Sequence, residues 1–463
     1  MGEEAQLQVV MLPWLAQGHI NPLINLSKAL ASHGDVKVWI VSTPENISRI
    51  RARLHDEPIH LLELALPSVD GLPPGVECTA DIKPESVHLL HSAFDQLDKP
   101  FESLLRRLSP NFLVYDIVAP WAATVAAQLD IPSFVFSIFN PAAFSYFVGH
   151  CKAAASSRYV KAEDLTQLPT DYPVPIISWR LFEARLGYNN FIAFADRVWA
   201  CCQQSCGIVI KSCFEEEDKY LKYLTHITGK PVISVGPLVI AGGATEDKSG
   251  NFVVEWLDKQ RPSSVVFVAF GSESFLSAEQ ITELALALEN IGLHFLWSLR
   301  SSDVTSSALS LLPEGFEGRT RDRGLVVGGW VPQLRILSHP SVGSFVTHGG
   351  WSSVMEAWLY SGLPLVLIPL RNEQGLNSRQ IELELNAGIE VERNEDGGFS
   401  REDVCKAVWT VMGNEEKGEQ IRSKVRELRG VIDLNTGRQQ AYMEELVNQM
   451  KKFIISRRED YIL

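Results

Sequence analysis

The sequence predicts an α/β protein built from two doubly wound, parallel-sheet domains. Three observations carry that expectation. Short apolar strands alternate with helical segments along most of the 463 residues, a pattern that favours parallel sheets covered on both faces. The alternation comes in two sets, separated by residues 237–251, a Gly-rich, polar stretch without periodicity that reads as a linker. A chain of this length with 46% hydrophobic residues can fill two or three buried cores. The expected boundaries are a first domain at 1–236, the linker at 237–251, a second domain at 252–440, and a terminal helix and tail at 441–463 that cross back onto the first domain.

In the first set, residues 7–12 read as a strand, followed by a loop through Gly18 and His19. A helix is expected to begin near Pro22, with Asn21 as its N-cap and Pro22 in its first turn. Leu23, Leu26 and Leu30 recur at helical spacing, and Gly34 closes the element. Further strands are expected at 36–41, 61–66, 112–116, 133–139, 208–211 and 232–235. After the linker, residues 264–270 form a buried strand ending in Gly271-Ser272, a turn suited to phosphate. Ser277 and Gln280 have capping-box spacing ahead of a helix whose Ile281, Leu284, Leu288 and Ile291 share a face. Strands at 295–299, 325–327, 342–347, 365–369 and 389–391 complete the second sheet, and amphipathic helices run from Arg401 to the end.

The chemistry concentrates between Trp330 and Gln374, in the run WVPQLRILSHPSVGSFVTHGGWSSVMEAWLYSGLPLVLIPLRNEQ. The strand at 342–347 is broken by His348-Gly349-Gly350, and a helix is expected over 351–360. Glycines at such a turn let backbone N–H groups approach a ligand, and the helix start adds orphan donors and the positive end of its dipole. A pyrophosphate fits there, with hydroxyls from Ser352 and Ser353 and an imidazole N–H from His348. Trp330, followed by Val331, offers a flat face for a base; Gln333 and Glu356 suit ribose hydroxyls. Glu373 and Gln374, just past the strand at 365–369, would face a hexose. From the residues alone this is an anion site at a helix N-terminus beside an aromatic, which many nucleotide binders share; a plain strand, turn and helix would look the same.

Composition narrows the partners. A formal charge of −14 with no long basic stretch argues against nucleic acid and anionic membranes. Seven cysteines without paired zinc spacing read as reduced thiols of a cytoplasmic protein; Cys201, Cys202 and Cys206 read as core packing rather than a metal site. The N-terminus has acidic residues ahead of a short apolar run, unlike a secretory signal, and no apolar stretch of about 18 residues marks a membrane span. No G-x-G-x-x-G occurs, which weakens nicotinamide chemistry. No Asp-x-Asp occurs either, so no carboxylate cage for a divalent metal is apparent.

The 330–374 run resembles the secondary-product signature of the plant UDP-dependent glycosyltransferases. Trp330, Pro332, Gln333, His339, Phe345, His348, Gly350, Trp351, Ser353, Glu356, Gly362, Pro364, Pro369, Glu373 and Gln374 all fall on that pattern. Three departures stand out: Gly349 replaces the usual Cys, Ser352 replaces the usual Asn, and residues 357–361 are one longer than usual. The resemblance covers nearly the whole chain. It implies the GT-B fold, two Rossmann-like halves facing a cleft, with a UDP-sugar as co-substrate, no cofactor or required metal, and a monomeric enzyme. It also implies Gly18, Ser272 and the 330–374 residues as donor contacts.

Transfer needs a base for the acceptor hydroxyl. His19 stands at the carboxyl end of the first strand, where open α/β sheets present ligand-contacting loops; Asp116 ends the strand at 112–116, so both emerge at one sheet edge. By itself a loop histidine is more often structural, and an aspartate in this position is also a plausible helix cap for the segment after Val118. The stretch Gly18-His19-Ile20-Asn21-Pro22 resembles the family's catalytic-histidine motif, and the resemblance implies a His19–Asp116 dyad and inversion at the anomeric carbon. The acceptor is expected against first-domain aromatics, with Trp14, Phe139, Phe144 and Phe191 as candidate contacts and a flat phenolic, flavonoid or terpenoid as its class; a hydrophobic core requires the same residues. PWLAQGHINPL, STPENISRI and GSESFL resemble members that extend an existing glycoside, in which Glu273 would meet a sugar hydroxyl. Gln374 resembles members using UDP-glucose, with UDP-rhamnose, UDP-xylose and UDP-glucuronate as alternatives. Two other classes stay open, a UDP-N-acetylglucosamine-type epimerase and a non-catalytic small-molecule carrier.

Overall fold

The computed structural model describes residues 6–54, 57–156, 161–238, 251–271, 274–300 and 308–460. Of the sequence expectations, most of the linker at 237–251, Ser272 and Glu273 lie outside the described residues.

The first sheet contains seven strands: β1 (Leu7–Leu12), β2 (Val36–Ser42), β3 (Ile59–Glu63), β4 (Phe112–Asp116), β5 (Ser133–Ser137), β6 (Gly207–Ile210) and β7 (Val232–Ser234). Their spatial order is β3-β2-β1-β4-β5-β6-β7, and every pairing is parallel. The second sheet contains β8 (Val265–Val268), β9 (His294–Leu299), β10 (Gly324–Gly328), β11 (Val342–Thr347), β12 (Leu365–Leu367) and β13 (Gly388–Glu390), in the order β10-β9-β8-β11-β12-β13. These pairings are parallel too. Each order reverses once, between β1 and β4 in the first sheet and between β8 and β11 in the second. Ligands of open α/β sheets bind at the carboxyl edge where the order reverses.

Strands covered on both faces read as nearly unbroken apolar runs, because successive side chains enter opposite cores. In β1, Val10 and Leu12 join one core cluster while Val9 and Met11 join the other; in β4, Leu113 and Tyr115 oppose Phe112 and Val114 in the same way. The second of these cores is completed from the far end of the chain. The helix Gln439–Asp460 buries Met443, Leu446, Val447 and Met450 beside Leu23, Leu26 and Leu30 of the helix Gln17–Ala31. The two halves are also joined by buried polar contacts. Asn140 donates to Asn377 (2.9 Å) and Gln380 (2.9 Å), and Arg379 pairs with both Glu183 and Glu390.

Several boundaries move. The strand expected at 61–66 runs over Ile59–Glu63, and those at 133–139 and 365–369 end at Ser137 and Leu367. The larger correction concerns the first helix. It starts at Gln17 with Ala16 in the N-cap position, so Asn21 is not its cap and Pro22 lies inside it. Pro22 has no N–H, and the i−4 carbonyl it would have bonded is that of Gly18. The capping box at Ser277 and Gln280 forms as the spacing implies, with Gln280 N–H donating to Ser277 Oγ and Ser277 N–H to Gln280 Oε1.

Candidate active site

The carboxyl edges of the two sheets share one cavity of about 880 Å³, lined from both halves. On the first-sheet side, the shifted helix start places His19 in a helical turn directly after β1, its backbone N–H donating to Ala16 C=O (2.9 Å). Its Nδ1 lies 2.7 Å from Asp116 Oδ2 at the end of β4. The two residues thus meet across the reversal point of that sheet. Asp116 is 1% exposed while the His19 side chain keeps 17%, so the carboxylate is screened from water and the imidazole reaches the cavity. Asp116 Oδ1 also accepts from Val118 N–H (3.3 Å). Its two oxygens therefore divide between holding the turn and orienting the histidine.

On the second-sheet side, Gly271 follows β8 and His348-Gly349-Gly350 follows β11. His348 is buried, and Thr347 Oγ1 lies 3.2 Å from its Nδ1. Burial, reinforced by the charge of Arg371, lowers its pKa to about 4, which keeps the ring neutral near pH 7. The ring is held by absent side chains: a Cβ on Gly271 would stand 2.7 Å from His348 Cε1, and one on Gly350 would overlap Nε2. Gly349 has φ +82°, so the departure from Cys at this position puts the residue best suited to a left-handed backbone there. Gly350 then caps the helix Trp351–Ser361, whose first turn carries Ser352 and Ser353. That helix is continuous through Ser361 to Gly362, which ends it at φ +60°.

Gln333 donates to Glu356 Oε2 (2.8 Å) and points Nε2 toward Ser353 Oγ at 3.5 Å. Burial raises the pKa of Glu356. Trp330 is 72% exposed, with the Arg300 guanidinium 4.9 Å from its ring centroid. Trp351 is buried, edge-on to Trp358. Gln374 Oε1 accepts from the N–H groups of Leu370 (3.0 Å) and Arg371 (3.1 Å), and its Nε2 donates to Ser274 Oγ (3.2 Å). Gly18, Val331, Glu373 and Gln374 all line the cavity.

The expected aromatic wall is sorted by the structure. Phe139 lines the cavity and stands edge-on to His19, ring centroids 6.4 Å apart. Trp14, Phe144 and Phe191 sit in the core instead: Trp14 stacks on His91 at 3.8 Å, Phe144 lies beside Phe139, and Phe191 packs edge-on to Phe147. Their rings fill the interior behind the cavity, which is why composition could not separate core from wall. Cys201 and Cys202 are buried in that same core, and none of the seven cysteines is in a disulfide.

Charge is what sequence reasoning missed. Among the described residues lining the cavity, six are arginine or lysine and three are aspartate or glutamate, in a chain whose formal charge is −14. Arg49 and Arg53 come from one short arginine-rich stretch, whereas Lys211, Arg300, Arg335 and Arg371 come from scattered positions. A concave site of the opposite sign to the whole molecule attracts an anionic ligand. Gly350→Ala is expected to push the His348 ring and tilt the turn, weakening any anion held there by about tenfold or more with little change in melting temperature; calorimetric titration with a nucleoside diphosphate checks it.

Two parallel-sheet halves meeting edge to edge, with a His–Asp pair on one side and a glycine-rich turn opening a helix on the other, define the GT-B class of group-transfer enzymes. The family described as "UDP-glucoronosyl and UDP-glucosyl transferase" matches residues 243–426, and "Glycosyltransferase, N-terminal domain" matches residues 5–240. The chain is 36% identical over 460 residues to an anthocyanidin-3-O-glucoside rhamnosyltransferase of Petunia hybrida, covering 96% of each protein. It is likewise 36% identical over 460 residues to UDP-glycosyltransferase 91D2 of Stevia rebaudiana, covering 97% of this chain and 96% of that one. Among solved structures, UGT73P12 of Glycyrrhiza uralensis complexed with glycyrrhetinic acid 3-O-monoglucuronide superposes with a TM-score of 0.83 at 27% identity, covering 98% of both chains. A UDP-glucosyltransferase from Polygonum tinctorium superposes at 0.80 with 28% identity, covering 96% of this chain and 98% of that one. The chain belongs to the plant family 1 UDP-dependent glycosyltransferases and is a glycosyltransferase enzyme. Among its described residues, no helix is long and apolar enough to cross a membrane.

Proposed function

We propose that this enzyme transfers glucose from UDP-glucose, with inversion, to a hydroxyl of a small lipophilic acceptor of the flavonoid or terpenoid kind that already carries a sugar. The observation that carries the reading is the 2.7 Å His19–Asp116 contact, set in the same cavity as the Gly350–Ser353 turn. With Nδ1 engaged by Asp116, the other ring nitrogen is the one that takes the acceptor proton. The acceptor oxygen then attacks the anomeric carbon as the bond to UDP breaks, and Asp116 stabilises the imidazolium. Charge growing on the departing diphosphate is met by the helix N-terminus, Ser352, Ser353 and His348, so these donors serve the transition state as well as binding.

The assignment of sugar hydroxyls to Glu373 and Gln374 has a structural condition. The Gln374 amide is already bonded to Ser274, so a hexose at that position must replace this bond or share it. A glycoside acceptor is supported by the Petunia relative, whose name specifies one, and by the glycoside bound in the Glycyrrhiza structure. The Petunia relative also favours a second reading, rhamnosyl transfer.

A UDP-release assay with UDP-glucose, UDP-rhamnose, UDP-xylose and UDP-glucuronate, each with and without a flavonoid or terpenoid glycoside, tests the proposal. Acceptor-dependent release from UDP-glucose is expected. Preference for UDP-rhamnose selects the second reading. UDP binding without release, or conversion of UDP-N-acetylglucosamine without an acceptor, would contradict both.

A further inference from the structure

Lys211 follows β6 and is only 4% exposed. A buried ammonium ordinarily has a carboxylate or several acceptors to offset its desolvation. Among the described residues the Lys211 ammonium forms no hydrogen bond or ion pair, yet Lys211 lines the active-site cavity. The opposite charge acting on it is Glu356, which belongs to the other half of the protein and lines the same cavity. Glu356 does not close on the lysine; its carboxylate is held by Gln333. A cation from the first sheet and the helix whose first turn holds Ser352 and Ser353 thus line one cavity.

We propose that Lys211 binds the diphosphate of the UDP-sugar, closing from the first half the anion site that the Gly350–Ser353 turn opens in the second. A neutral ribose or hexose gives no reason to bury a cation there, whereas a diphosphate supplies the missing counter-charge. The role rests on the reading of that turn as the diphosphate cradle. Burial lowers the lysine to about 8 while Glu356 raises it, so the group is largely protonated at neutral pH and the bound diphosphate holds the proton more firmly. An ammonium that meets its partner only when the donor is present also links donor binding to the alignment of the two halves, because its strand and the turn belong to different sheets.

The test compares UDP with uridine, by titration and competition, on the wild-type protein, Lys211→Met and Lys211→Gln. Both variants are expected to weaken UDP by about tenfold or more, the range of a hydrogen bond to a charged group, and to leave uridine within about twofold. The melting temperature of ligand-free Lys211→Met is expected to hold or rise, since an unpaired buried cation has been removed. Equal loss of UDP and uridine affinity, or no loss of either, would overturn the assignment. Should wild-type protein fail to prefer UDP over uridine, the cradle itself is wrong. Wild-type preference that both variants retain contradicts only the role of Lys211.

Discussion

His19→Ala is expected to lower turnover by about a thousandfold, within the range that a positioned general base contributes, while UDP affinity stays within about twofold. The expectation follows from where the side chain stands. His19 projects from the carboxyl edge of the first sheet, whereas the turn at Gly350 and the Gln333–Glu356 pair belong to the second. On the proposed mechanism, removing the imidazole deletes the proton acceptor and leaves the turn at Gly350 and the Gln333–Glu356 pair in place. The Asp116 carboxylate would remain buried with its Val118 bond. Steady-state UDP release beside calorimetric titration of UDP separates the two effects; near-normal turnover would show that the base has been assigned wrongly.

Asp116→Asn is expected to cost a similar amount, about a hundred- to ten-thousandfold in kcat, by forcing the wrong histidine tautomer. The local hydrogen bonds make that outcome specific. Val118 N–H requires an acceptor at the Oδ1 position, so an asparagine keeps its oxygen there and turns its amide nitrogen toward His19. The amide donates to Nδ1, which places the imidazole proton on the other nitrogen, the one that must accept a proton from the acceptor. Since the turn keeps its hydrogen bond, the melting temperature should move little. Asp116→Ala loses both bonds and should in addition lower stability by about 1 kcal/mol, the net worth of a typical hydrogen bond. Parallel kinetics and thermal melts check the pair; an Asp116→Asn enzyme with wild-type kcat would remove the dyad from the mechanism.

The second half of the site was readable because its signals are local. The run from β11 through the glycines into a helix fixes strand, turn and cap within twenty residues, and β11 has the expected bounds at Val342–Thr347. The His19–Asp116 pair spans 97 positions; two strand ends put both residues at one sheet edge, and the family resemblance, not the spacing, implied that they pair. The first helix was misplaced because Pro22 is usually a first-turn residue. Here the helix accommodates it internally, opposite the carbonyl of Gly18. Phe144 and Phe191 could not be told from Phe139, because a ring facing a core and a ring facing a cavity leave the same trace in composition. In the sequence Lys211 is only a strand end and Arg300 the residue after one. Their convergence on the cavity depends on how two sheets meet, which no stretch of sequence encodes locally.

On the proposed mechanism one cleft holds the leaving group on the second half and the proton acceptor on the first. A crystal structure of the enzyme with UDP and a glycoside acceptor is expected to show the diphosphate within about 3 Å of the donors at Gly350–Ser353 and an acceptor hydroxyl within about 3 Å of the His19 nitrogen not bonded to Asp116. UDP bound away from that turn, or a His19 ring turned out of the cleft, would contradict it.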